Sequence, residues 1–171
     1  MAEPAILNPS AARAAFTRGV EPFLKGPHEV PPVTEWKVAM ASFPTLRILV
    51  AVAGVPRFIL RLDCSNFDYD PPSLSYEYPD GSAIPWTTVR EMVALYPGVV
   101  RGTSTLINDV VLFPNGNGFV CRPGNLSYHE AHPEVNWREV RNQSAGRLDF
   151  IIDSAIRLLD PEKVARLGRQ T

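Results

Sequence analysis

Leu46-Arg47-Ile48-Leu49-Val50-Ala51-Val52-Ala53, then Gly54-Val55-Pro56, then Phe58-Ile59-Leu60-Arg61-Leu62-Asp63-Cys64 is the stretch on which the fold turns. The first run is a continuous Leu/Ile/Val segment long enough for a well-buried strand. Gly54-Val55-Pro56 breaks it as a turn, and the second run starts another strand. Upstream, Glu35-Trp36-Lys37-Val38-Ala39-Met40 alternates polar with apolar residues; downstream, Ser73-Leu74-Ser75-Tyr76-Glu77-Tyr78 does the same. Alternation at a period of two marks a half-buried strand. Connections this short between successive strands imply an antiparallel meander, and four strands are expected between Val33 and Tyr78.

Outside the meander the pattern becomes helical. Asn8-Pro9-Ser10 is a helix start, with a side-chain acceptor at the cap and proline in the first turn. Ala12, Phe16, Val20, Phe23 and Leu24 follow at three- and four-residue steps, and Gly26-Pro27 ends the helix. Thr88 to Tyr96 reads as a short helix stopped by Pro97-Gly98, and Val110 to Gly124 as irregular chain. Leu148, Ile151, Ile152, Ala155, Leu158 and Leu159 make the buried stripe of a helix over Asn142 to Leu159, followed by a short segment from Asp160-Pro161. The 17 prolines cluster at Pro27, Pro31 and Pro32, at Pro71 and Pro72, and at Pro79 and Pro85, where they mark boundaries between elements. The expected architecture is one α+β domain over residues 1–171, with helices covering one side or end of an antiparallel sheet.

Bulk properties exclude several function classes. An apolar content of 45% with 20% charged residues is that of a globular chain rather than a disordered one. A net charge of −1 argues against a dedicated nucleic-acid binder, which needs clustered excess Lys and Arg. No apolar run approaches the roughly 20 residues that span a bilayer, and Met1-Ala2-Glu3-Pro4-Ala5 lacks the basic start of a secretory signal. Two cysteines, Cys64 and Cys121, make no disulfide framework. A cytoplasmic protein with two free thiols is expected.

The order of motifs resembles the ubiquitin-conjugating (E2-like) family. Phe58-Ile59-Leu60-Arg61-Leu62 runs into Phe67-Asp68-Tyr69-Asp70-Pro71-Pro72-Ser73-Leu74-Ser75-Tyr76, like the family's strand, Tyr-Pro-x-x-Pro-Pro turn and strand. Phe113-Pro114-Asn115 looks like its His-Pro-Asn, and Gly118-Phe119-Val120-Cys121 like its Gly-x-Ile-Cys. Trp137 and the apolar helix ending Leu158-Leu159-Asp160-Pro161 follow in order, so the resemblance covers Val33 to Pro161. Phe113 stands where the family has histidine, the Asn115-to-Cys121 spacing is shorter, and the segment from Asp80 to Leu112 is longer; the likeness is to a divergent member from a bacterial ubiquitin-like conjugation system.

The resemblance implies a UBC-like fold and a cysteine thioester transferase. An E1-like activating enzyme would load the carboxyl terminus of a ubiquitin-like protein onto Cys121, and an amine on a target protein would then take it. A thiolate is a strong nucleophile and its thioester stays reactive to amines, which is why the chemistry needs cysteine. The amide of Asn115 is the expected hydrogen-bond donor to the carbonyl oxygen as it gains charge, an effect worth about 10²–10³ in rate. No cofactor or metal is required. The amino-terminal helix is the surface expected to dock the activating enzyme, by analogy. Tyr128-His129-Glu130-Ala131-His132 puts two histidines three apart on one helix face. They are candidate bases for the thiol or the incoming lysine. Two other classes fit the same residues: a catalytically inactive binding module of this fold, and a small metal-binding protein using Cys121, His129 and His132, though with no fourth protein ligand. Cys64, at the end of an apolar strand, is expected to be structural, and His28 exposed.

Overall fold

A computed structural model describes residues 8–30, 34–67, 69–100, 103–143 and 146–167. Pro31, Pro32 and Val33 of the expected boundary, Asp68 of the turn motif, and residues 144–145 of the expected last helix lie outside it. Asn8 caps helix α1 (Pro9–Val20), its Oδ1 accepting from the Ala11 amide at 3.1 Å. The helix buries Ala12, Phe16 and Val20. A 3₁₀ turn at Glu21–Phe23 then tightens the winding, so Phe23 is buried while Leu24, expected in the same stripe, turns outward and is exposed.

The sheet is where the meander was expected, with one more strand. The order is β1 (His28–Val30), β2 (Thr34–Ser42), β3 (Thr45–Val52), β4 (Val55–Asp63), β5 (Ser73–Glu77), all neighbours antiparallel. The expected count of four is therefore corrected to five among the described residues. The extra strand is only three residues long, too short for a period to be read, and His28 pairs with Trp36 across it. Its ring stacks on that indole with centroids 4.1 Å apart and its Nε2 lies 3.0 Å from the Phe23 carbonyl oxygen, so His28 is half-buried rather than exposed. The β3–β4 turn falls at Ala53 and Gly54, both at positive φ (51° and 74°), the two-residue turn whose twist suits a hairpin.

One face of the sheet carries Leu46, Ile48, Val50, Phe58, Leu60 and Leu62, each fully buried. Burial of a side chain of this size contributes about 1.5–3 kcal/mol. The opposite face carries Arg47 and Arg61, paired across β3 and β4, and both reach the buried carboxylate of Glu77 on β5, at 2.6 and 3.6 Å.

Beyond the sheet come α2 (Trp86–Met92), β6 (Tyr96–Val100), β7 (Thr103–Ile107), β8 (Val110–Leu112), β9 (Gly118–Val120), α3 (Leu126–Ala131), α4 (Trp137–Val140), α5 (Leu148–Arg157) and α6 (Pro161–Val164). Three expectations are corrected here. The helix expected over Thr88 to Tyr96 starts and ends earlier, because Val93 turns extended and bridges Leu159, with Ala94 and Asp160 amides bonding the Leu158 and Met92 carbonyls. The chain then makes a β6–β7 hairpin, in a segment for which no strand was expected. The stretch from Val110 to Gly124 is not irregular: β8 and β9 pair in register Val110↔Val120. The helix expected over Asn142 to Leu159 starts at Leu148, since Arg147 is extended (φ −82°, ψ 140°). α5 lays Leu148, Ile151, Ile152 and Ala155 on the sheet. Trp36 Nε1 donates to Asp153 Oδ1 at 3.0 Å, fastening helix to sheet. The chain is thus α+β, with its core between the sheet and the helices. Lys163 donates to the Val93 carbonyl at 2.9 Å, tying α6 to the end of α2. Among the described residues no helix is long and apolar enough to cross a membrane.

Candidate functional site

The β8–β9 hairpin sets the position of the thiol. Its ladder continues one step past β9, where the Cys121 amide donates to the Asp109 carbonyl at 2.6 Å. Cys121 is only partly buried, whereas Cys64 is buried with its amide on Pro44 O at 2.8 Å. Burial drives the Cys64 thiol pKa far up, with the Asp63 charge adding to it, so that thiol is inert in the folded chain.

A buried asparagine holds the chain on both sides of Cys121. Asn125 Nδ2 donates to the carbonyls of Val120 (2.6 Å) and Arg122 (3.0 Å), and its Oδ1 caps α3 by accepting from the Tyr128 amide at 3.0 Å. The Leu126 amide bonds Pro72 O at 2.9 Å, seating α3 on the buried Pro71-Pro72 corner. Asn125→Ala should lower stability by about 1–2 kcal/mol in urea unfolding, through a lost cap and one donor lost at each of two carbonyls, of which Val120 O keeps the Arg122 amide at 2.9 Å. A change below about 0.5 kcal/mol would show that the asparagine holds nothing.

The two histidines of α3 part company. His129 engages both ring nitrogens with backbone: Nδ1 is 2.9 Å from Val135 O and Nε2 accepts from the Gly124 amide at 3.4 Å. The ring also meets Trp137 edge-on at 5.5 Å. It is therefore a structural clasp, not the base expected of it. His132, at the C-cap of α3, points the other way, with Nε2 3.7 Å from Cys121 Sγ and Nδ1 3.1 Å from Glu134 Oε1. The Tyr128 ring covers one face of its imidazole at 4.6 Å.

Asn115 is not brought to the thiol. It sits exposed in the turn at the closed end of the hairpin, where its Oδ1 accepts from the Asn117 amide at 3.0 Å. Cys121 lies at the open end, three strand steps from Gly118, or about 10 Å. The expected oxyanion donor is corrected accordingly: the Asn-Gly-Asn-Gly run serves the turn, with Gly116 at φ 83°.

Asp109 is the residue that sequence reading missed entirely. Its buried carboxylate accepts from Tyr96 Oη at 2.8 Å and pairs with Arg122, bringing the β6–β7 hairpin to the site. Burial raises the Cys121 pKa, the Asp109 charge raises it further, and Arg122 partly opposes them. A thiol whose anion is disfavoured ionises at higher pH, so Cys121 carries its proton at neutrality and its alkylation by iodoacetamide should still be climbing above pH 9. Asp109→Asn removes a raising charge and leaves Arg122 unopposed. Its alkylation profile should move to lower pH; an unmoved or upward-shifted profile contradicts this electrostatic account. No partner in the pattern of the sequence foretold Asp109 or Glu134, since both act through contacts that the fold makes.

Among the described residues, no group of three His, Cys, Asp or Glu side chains is placed to hold a metal ion. The zinc reading also needed His129, whose ring nitrogens are both on backbone. No protein-family model matches the chain, and no curated protein matches it.

Proposed function

We propose that the chain is a UBC-like conjugating transferase that accepts a ubiquitin-like protein from an E1-like activating enzyme as a thioester on Cys121 and passes it to an amine on a target protein. The observation that carries this reading is the partly buried Cys121 thiol at the open end of a hairpin, 3.7 Å from an imidazole and held on both sides by Asn125. The order of elements supports it too: an amino-terminal helix, an antiparallel meander, a cysteine-bearing hairpin and a closing helix. The chemistry asks for no metal or organic cofactor. The site of action in this reading is the cytoplasm, where Cys121 stays reduced.

Incubation with its activating enzyme, ATP and ubiquitin-like protein tests the proposal. A covalent adduct that disappears with excess thiol is expected on Cys121. If purified, folded chain forms none while the activating enzyme is itself charged, the protein is a binding scaffold and not a transferase.

A further inference from the structure

We infer that Cys121, His132 and Glu134 form a thiol–imidazole–carboxylate relay, so that the isolated chain takes up and releases peptide acyl groups with its own base, the substrate class being a C-terminal peptide thioester. This deepens the transferase reading and rests on it for the acyl group, but the relay itself stands on geometry. His132 bridges the other two: Nε2 faces Sγ at 3.7 Å and Nδ1 meets Glu134 Oε1 at 3.1 Å. A carboxylate accepts only, so Nδ1 carries the hydrogen, and in the neutral ring Nε2 then presents its lone pair to the thiol. The residue's own backbone amide, and after it the hydrogen bond from His132, lowers the Glu134 pKa and favours the ionised carboxylate. Tyr128 packs against the ring and limits its rotation. An active nucleophile is recognised by this order of roles: nucleophile, base, and a group that orients the base.

The steps balance. The Cys121 S–H proton passes to His132 Nε2 as sulfur attacks the thioester carbonyl. The carbon–sulfur bond to the leaving thiol breaks, and that thiolate takes the proton from His132. In the second half a water or amine gives its proton to Nε2 and attacks the acyl-Cys121 carbonyl. The carbon–sulfur bond to Cys121 breaks and its thiolate is reprotonated by His132. With water the net reaction is thioester hydrolysis to acid and thiol. Glu134 touches no reacting atom and is a positioning residue.

The test uses the full chain, without an activating enzyme, and a short peptide ending Gly-Gly as its mercaptoethanesulfonate thioester. Intact mass should reveal acylated Cys121, and chromatography should reveal released peptide acid. His132→Ala, and independently His132→Gln, should each cut both rates by about 10²-fold, the scale of general-base catalysis. Glu134→Gln, which keeps an oxygen acceptor for the Nδ1 hydrogen, should retain more of the rate than Glu134→Ala. Ring ¹⁵N spectra give a readout that a merely structural role would not move: Glu134→Ala should shift His132 toward the tautomer with hydrogen on Nε2. Folded His132 variants with rates within twofold of wild type overturn the relay. Unchanged rate and tautomer in Glu134→Ala overturn the role of the carboxylate. Loading by an activating enzyme with no peptide acylation overturns the relay and leaves the transferase reading standing; peptide turnover with no such loading does the reverse.

Discussion

Cys121→Ser is expected to turn the thiol-labile adduct into an ester that survives reductant, and to lower transfer to an amine by a factor of ~10³ or more. The reason is chemical. Serine's hydroxyl is a far weaker nucleophile than a thiolate and is activated only by an adjacent base, and an oxygen ester yields more slowly to amines than a thioester. Losing the nucleophile is among the largest single effects known in enzymes that work through covalent intermediates. Cys64 cannot substitute, because it is 1% exposed and its thiol stays protonated. Gel shift with and without reductant reads the adduct; continued thiol-labile loading of Cys121→Ala would remove Cys121 from the chemistry altogether.

The largest effect on stability should come from Trp36→Ala. The indole is 2% exposed, meets Phe23 edge-on at 5.7 Å, stacks on His28 and reaches across to Asp153 on α5. Its removal leaves a cavity where the 3₁₀ turn, β1, β2 and α5 converge, and leaves the Asp153 carboxylate facing Arg157 at 3.6 Å. Truncating a buried tryptophan costs about 3–5 kcal/mol. For a chain of this size that lowers the melting temperature by roughly 10 °C, measurable by calorimetry. A drop of only 1–2 °C would place the indole outside the cooperative core.

The central strands were legible because their residues repeat. Leu46, Ile48 and Val50 face one way and Arg47 the other, and that alternation is a property of the chain before it folds. α1 and the α5 stripe were legible for the same reason at the helical period. What escaped was short or non-local. His28–Val30 and Gly118–Val120 are three residues each, and Pro97-Gly98 reads as a breaker although its backbone pairs with β7. The ends of α2 and α5 depend on a bridge between Val93 and Leu159, 66 positions apart, which no local pattern announces.

The site divides in the same way. Cys121 and His132 stood out as residue types, yet only the fold distinguishes His132 from His129, by aiming one imidazole at sulfur and the other at two backbone groups. Asn115 carried a motif-level expectation that the hairpin undid, because a motif specifies order along the chain and not which end of a turn faces the chemistry. Asp109, Asn125 and Glu134 have ordinary neighbours in sequence and gain their roles from tertiary contact.

Asn125 carries one more consequence. By gripping the carbonyls before and after the thiol while starting the helix that ends in His132, it makes sulfur and imidazole parts of a single rigid piece. Their separation is then set when the chain folds, so no loop has to close and no search for alignment precedes each turnover. The entropy of bringing nucleophile and base together has already been met during folding, and the encounter with cargo is left to supply only the acyl carbon.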